Sequence, residues 1–235
     1  IADNVPGSKG FGAGGWWANW GYFVNSAGGS FYNEDRTACA LDSDASIAGL
    51  TFYQDLYASG SGVPFGEDAE PPFKAGTLGM FINGRWATPG AREITSFNWD
   101  VAPLPTGAAP GKDWLFWGAY VVNANTANPD AAWKLVEALT STEVQDKVAS
   151  LGANIPSRTS QEAIDAFLTY TPPANNQAFV DGIQNDPVAE GPLWTGSWPA
   201  FDKASGDEVT ALMTGKITID EFQKTICKAT AVAWE

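Results

Sequence analysis

The sequence predicts an α/β fold, and three observations carry that reading. Short apolar runs that suit buried strands alternate with stretches whose apolar residues recur at helical spacing. The helical stretches open on cap residues and close on glycine. The chain has 235 residues, enough to bury a full core as one large domain or two small ones.

Residues 1–35 are rich in Gly, Asn and aromatics, with a short helix expected after Asn19. Asp42-Ser43-Asp44 offers an N-cap, Ile47, Leu50, Tyr53 and Tyr57 follow at helical spacing, and Gly60 closes the segment. Gly62 to Pro72 reads as a loop and Phe73–Gly76 as a helical turn. Leu78 to Ile82 is a compact apolar run that suits a buried strand. Asn83-Gly84 then turns the chain and delivers Arg85-Trp86. Trp99–Ala102 reads as a second strand ended by Pro103 and Pro105, Pro110-Gly111 as a turn, and Ala119–Val122 as a third strand. Asn128-Pro129 starts a helix with Trp133, Val136 and Leu139 along one face. Thr140-x-x-Glu143, Thr159-x-x-Glu162 and Thr218-x-x-Glu221 are capping boxes for three more helices; Gly152 ends the first and Gly215 separates the last two.

Thirteen basic and 27 acidic residues give a net charge of −14. That balance excludes a nucleic-acid or anionic-membrane partner, which would need clustered Lys and Arg. The absence of His excludes Ser-His-Asp and Cys-His nucleophilic sites and removes the commonest zinc ligand. No metal or cofactor is expected. No stretch is long enough for a membrane span, and no signal segment or lipid-attachment Cys stands near the start. The chain opens on Ile1 inside what reads as folded sequence, so a processed or missing N-terminal portion is expected. Cys39 and Cys227 suit either one disulfide in an exported protein or two buried thiols.

The functional signal is aromatic. Gly14-Gly15-Trp16-Trp17-Ala18-Asn19-Trp20-Gly21-Tyr22 places three of the chain's 11 Trp and a Tyr within seven residues. An indole gives a sugar ring a flat apolar face, and adjacent amides can hydrogen-bond its hydroxyls. Flanking glycines and Asn19 favour a ligand surface over core filler for the cluster.

The segment Phe73-Lys74-Ala75-Gly76-x-x-Gly79-Met80-Phe81-Ile82-Asn83-Gly84-Arg85-Trp86 resembles the F-x-x-G-x-x-A-M-x-x-x-G-x-W signature of family 1 extracellular solute-binding proteins, the sugar-capturing subunits of ABC importers, with Gly79 in place of the usual Ala. Asp100–Pro105, Trp117-Gly118, Asn128–Lys134, Gly152–Arg158 and Met213–Glu221 resemble further pieces in the family's order. The resemblance implies a periplasmic-binding-protein-like α/β fold of type II, with two lobes around a hinge and sugar bound between them. It also implies that roughly a third of a family member precedes this chain. Residues 1–118 and 158–235 would then belong to lobe 2, and 119–157 to an excursion that packs into lobe 1. Without that lobe, Tyr120, Val122, Trp133 and Val136 are expected to expose an apolar patch.

The same resemblance assigns candidate ligands. Trp86 matches the signature Trp that stacks on sugar; the alternative is a core Trp beneath the turn. Trp17 is preferred over Trp16 as the second platform. Asn19 could bond hydroxyls or cap a helix, Trp117 could floor the cleft or pack the hinge, and Trp198 is the late aromatic that reaches the site. Trp194 lies near it, and Trp114 is left undecided. Arg85 could donate a forked pair of bonds to hydroxyls, although a surface ion pair is the plainer expectation. Trp99, Trp133 and Trp234 sit in strand or helix patterns and read as core. The implied ligand is a neutral mono- or oligosaccharide, the implied partners are an ABC permease and the missing N-terminal lobe segment, and the implied location is periplasmic or a cell-surface lipoprotein. Export favours a Cys39–Cys227 bond.

The rival reading is a glycoside hydrolase with a facing carboxylate pair, which also uses Trp platforms and needs no His. No acid flanks the Trp motifs in a way that suggests such a pair. A lectin-like module would be mostly β, which the expected helices oppose.

Overall fold

A computed structural model describes residues 5–109, 112–152, 154–158, 160–184, 187–189 and 196–235. In order, the elements are β1 (Lys9–Gly12), α1 (Trp17–Ser26), α2 (Asp44–Ala58), α3 (Glu70–Lys74), β2 (Leu78–Phe81), α4 (Thr88–Ala91), β3 (Trp114–Leu115), α5 (Pro129–Leu139), α6 (Thr142–Ser150), α7 (Gln161–Leu168), α8 (Gln177–Gln184), β4 (Val188–Ala189), α9 (Trp198–Met213) and α10 (Ile219–Ala229). They group into two compact units. Unit 1 comprises Ile1–Asn83, Leu104–Trp114 and Asp186–Glu235, and unit 2 comprises Gly84–Pro103 and Leu115–Asn185. Unit 2 holds the described part of 119–157 together with the residues on either side of it. The lobe assignment concerns a longer protein and is taken up below as a proposal.

Unit 1 is built around α1. All ten of its residues are buried, so the aromatic run has no polar face and shows no helical period in the sequence. The helix begins at Trp17, three residues before the expected start. Trp20 stacks on Phe31 at 4.7 Å and Phe23 on Tyr53 at 4.6 Å. α2 lies directly against α1. A Cβ at Gly49 would overlap the Phe23 carbonyl and stand 2.9 Å from Val24 Cα, so only glycine lets the two backbones approach this closely. Ser43 caps α2 by accepting from the Ser46 N–H, and Gly60 ends the segment at φ +74°. β2 is the expected apolar strand; its parallel partner β1, paired Lys9 to Leu78 and Phe11 to Met80, was hidden in the glycine-rich start.

α9 and α10 close unit 1, burying Phe201, Val209, Leu212, Phe222 and Ile226. Each such side chain contributes about 1.5–3 kcal/mol on removal from water. The capping box at Thr218 forms in both directions: Thr218 Oγ1 accepts from Glu221 N–H, and Glu221 Oε2 accepts from Thr218 N–H at 2.8 Å. Cys39 and Cys227 are joined in a disulfide with Cα atoms 5.3 Å apart.

Unit 2 centres on Ala149, Ala163, Phe167 and Val180, with Ile155, Leu168 and Phe179 packed against them. Asn176 is buried and donates through Nδ2 to the carbonyls of Leu168, Tyr170 and Pro173, which ties down the loop between α7 and α8. Several expectations need correction. Trp99–Ala102 and Ala119–Val122 join no sheet. Periodicity marks an apolar segment but says nothing of whether an adjacent strand is there to pair with it. The α6 cap is Ser141, whose hydroxyl accepts from Val144 N–H, while Thr140 turns its hydroxyl back to Val136 C=O. Ser160 caps α7 by accepting from Ala163 N–H; Thr159 and the Pro110-Gly111 turn lie outside the described residues. Trp133 is exposed on α5 rather than core. Tyr120 and Val122 are also exposed, as the apolar-patch expectation has it, and Val136 is half-buried.

Candidate functional site

In unit 1 the expected aromatic platform is a box of rings. Trp17 stands at its centre, only 5 % exposed. Its ring meets Trp16, Trp114 and Trp198 edge to face, with centroids 5.2, 5.0 and 5.1 Å away. So enclosed, Trp17 presents almost no surface for stacking, contrary to the preference for it over Trp16. Trp16, one residue earlier and 42 % exposed, is the most exposed of these four rings. The reason is position. Trp17 is the first residue of a buried helix, whereas Trp16 precedes that helix in extended conformation, at φ −64° and ψ 142°.

The loop ahead of Trp16 is held by its carbonyls. Gly14 C=O accepts from Asn19 Nδ2 and from the Tyr53 hydroxyl, both at 3.2 Å, and Ala13 C=O accepts from the Tyr57 hydroxyl. Tyr53 and Tyr57 are i, i+4 neighbours on α2, and their hydroxyls lie 3.2 Å apart. Burial raises both phenol pKa values, Tyr53 far above the ordinary range, so both stay protonated and available as donors. Asn19 is therefore a buried clamp on this loop, neither a helix cap nor an exposed amide. The sequence signalled the two tyrosines only as a helix face; nothing in their spacing marks the carbonyls that they hold.

Trp114, undecided from sequence, belongs to the box and donates through Nε1 to Ala18 C=O at 2.9 Å, which joins β3 to α1. Trp198 is the first residue of α9 and stacks on Phe201 with the ring planes at 26°. Asp113 beside Trp114 has its carboxyl pKa raised by burial. Trp194 lies outside the described residues.

In unit 2, Trp86 follows the Asn83-Gly84 turn and is 46 % exposed. Its indole folds back over Gly84, where a Cβ would overlap the six-membered ring. This gives the G-x-W spacing a physical meaning: the glycine is the floor on which the Trp lies. The ring edge rests on Phe116, with centroids 5.1 Å apart and planes at 89°. The opposite prospect, a Trp buried beneath the turn, is not what the structure shows. Trp117 is 65 % exposed.

Arg85 departs from both of its expected roles. It is 6 % exposed, with its guanidinium over the rings of Phe167 and Phe179 at 4.6 and 5.0 Å. Backbone direction explains this: Trp86 and Arg85 are successive residues of one tight helical turn, and when the indole lies outward on Gly84 the arginine points into unit 2. Burial, and secondarily the charge of Arg92, push its pKa down to about 10. It is neither a surface ion pair nor positioned for a sugar hydroxyl.

Comparison with known proteins places this arrangement. The family described as bacterial extracellular solute-binding protein matches residues 2–146. A maltotriose-binding protein of Pyrococcus abyssi is 27 % identical over 180 residues, which covers 72 % of this chain and 36 % of that protein. An ABC substrate-binding protein of Listeria monocytogenes, solved in complex with cycloalternan, superposes with a TM-score of 0.81 at 19 % identity, over 98 % of this chain and 59 % of that one. The maltose-maltodextrin binding protein of Alicyclobacillus acidocaldarius gives 0.77 at 20 % identity, over 94 % and 62 %. The chain thus spans between about a third and three-fifths of the length of these relatives. With a mixed α/β chain that superposes almost end to end on such structures, and a family match over more than half its length, the chain belongs to the bacterial extracellular solute-binding protein family and has the type II periplasmic-binding-protein fold.

Proposed function

We propose that this chain is part of a carbohydrate receptor that captures a neutral mono- or oligosaccharide and delivers it to an ABC importer, without catalysing a reaction. The observation that carries the reading is Trp16, exposed at the edge of a packed box of rings and set on a loop whose carbonyls are clamped by Asn19, Tyr53 and Tyr57. A platform rigid before it meets its ligand loses little entropy on binding. Trp86, lying on Gly84, is the second platform. Trp198 and Trp114 serve as walls that hold the box, and Trp117 is a further exposed ring. A stacked ring adds about 0.5–1.5 kcal/mol beyond its buried area, so a few rings with hydrogen bonds support micromolar binding. The listerial relative was solved with cycloalternan and the Pyrococcus relative is named for maltotriose, so α-glucans are the first ligands to try.

Burial raises the carboxyl pKa values of Asp113 and Asp202, and recovery of the sugar after incubation distinguishes receptor from hydrolase. The disulfide suits an oxidising, extracytoplasmic location. Among the described residues no helix is long and apolar enough to cross a membrane; a lipid anchor or a periplasmic location is part of the proposal. We assign residues 1–118 and 158–235 to lobe 2 of a longer receptor and 119–157 to the excursion into lobe 1, where exposed Tyr120, Val122 and Trp133 would meet that receptor's other segment.

Titration with maltotriose, followed by Trp fluorescence and by chromatography of the sugar, tests the reading. Saturable quenching with the sugar recovered intact is expected; shortened products would establish the hydrolase instead. A second expectation concerns the floor under Trp86. Gly84→Ala tilts the indole off its seat at a fold cost of about 1 kcal/mol. Near-UV circular dichroism should change and sugar affinity fall about tenfold, with far-UV signal retained. Unchanged affinity and near-UV signal would show that the ring does not use that seat.

A further inference from the structure

We propose that Arg85 and Arg92 form a carboxylate-binding site inside unit 2, independent of the sugar surfaces. The chain has four arginines and 27 acidic residues, yet among the described residues no acid is seen to act on Arg85. The charged neighbour that acts on Arg85 is Arg92, another cation. Nε, Nη1 and Nη2 of Arg85 and Nη2 of Arg92 are all buried and lack a hydrogen-bond acceptor among the described residues. The remaining Arg92 donors are used: Nε donates to Pro172 C=O at 2.7 Å and Nη1 to Gly152 C=O at 2.9 Å.

A buried guanidinium acted on by a second, half-buried cation opposes folding, and rings alone do not satisfy guanidinium N–H groups. Phe167 and Phe179 cover the faces of Arg85, and Tyr170 covers Arg92 at 4.0 Å. Face contacts leave the in-plane N–H groups over, and those are the groups that a carboxylate accepts from in a forked pair. Phe167 is wholly buried, whereas Phe179 and Tyr170 retain solvent-facing surface, so entry lies on their side. A planar monoanion supplies the missing charge and accepts from two N–H groups at once. Such a carboxylate can be a small free acid or an Asp or Glu side chain from a stretch outside these 235 residues.

Thermal unfolding of the 235-residue chain in sodium acetate, against sodium chloride at equal ionic strength, tests the site. With a free carboxylate, acetate raises the wild-type midpoint saturably, by about 5 °C at concentrations far above its dissociation constant. Arg85→Met abolishes that rise and Arg85→Lys, a point charge without the fork, keeps a smaller one. With a carboxylate from elsewhere in a longer chain, acetate has no specific effect, and Arg85→Met raises the midpoint of the 235-residue chain while lowering that of the longer one. The proposal is overturned if acetate raises the midpoint equally in wild type and Arg85→Met. It is equally overturned if Arg85→Met lowers the midpoint of the 235-residue chain without an acetate response, because the guanidinium would then be held by its rings alone.

Discussion

Replacing Cys39 and Cys227 together by serine is expected to lower the stability of unit 1 by about 2–5 kcal/mol. The two residues are 188 apart in sequence, so the bond closes a loop that includes every residue of unit 2. Chain-entropy arithmetic for such a loop gives roughly 5 kcal/mol, an upper figure because a real unfolded chain keeps some structure. Polar ties run beside the bond. Gln223 on α10 donates to Asp42 C=O at 2.9 Å, and Trp234 Nε1 donates to Arg36 C=O at 3.3 Å. Those hydrogen bonds, worth about 1 kcal/mol each, hold the geometry once formed but cannot replace the restriction of the unfolded state. Denaturant unfolding with and without dithiothreitol checks this. The reductant should lower the wild-type midpoint to that of the double variant and leave the variant unmoved. A wild-type midpoint insensitive to reductant would show that the ties across α10 suffice without the bond.

What the sequence discloses and what it conceals follow from the range of the interactions. Caps are local, so Ser43 and the Thr218–Glu221 box are legible from a few letters; even so, Ser141 supplants Thr140 because two hydroxyls in succession compete for one helix end. β2 is legible because it is apolar throughout, while β1, Lys-Gly-Phe-Gly, becomes a strand only through its partner. The site divides the same way. The G-x-W spacing places Trp86 correctly because its cause is Gly84, two residues away. Trp16 and Trp17 are chemically identical letters, and which of them is enclosed depends on Trp114 and Trp198, about a hundred and two hundred residues further on. The burial of Arg85 is not legible for the same reason: Phe167 and Phe179, which cover it, are remote in sequence.

The largest functional effects are expected at the exposed rings, and the enclosed one supplies the contrast. Trp86→Ala should weaken sugar binding by 2 kcal/mol or more, about thirtyfold, as truncation of a central aromatic anchor does. Its cost to folding should be small, because the ring lies half-exposed on a glycine and touches Phe116 only by its edge. Trp16→Ala should act in the same direction with a smaller loss, since its inner edge stays packed on Trp17 and part of its area is already spent there. Trp17→Ala should behave in the opposite way. Removing a ring enclosed by Trp16, Trp114, Trp198 and Phe31 leaves a cavity in unit 1 and costs about 3–5 kcal/mol of stability. Three melting curves and three maltotriose titrations separate these roles. Should Trp86→Ala unfold the protein while the fraction still folded binds sugar normally, the ring is structural and the second platform lies elsewhere. Should Trp17→Ala leave the melting point in place and abolish binding, Trp17 rather than Trp16 presents the stacking face, and the box must open when sugar arrives.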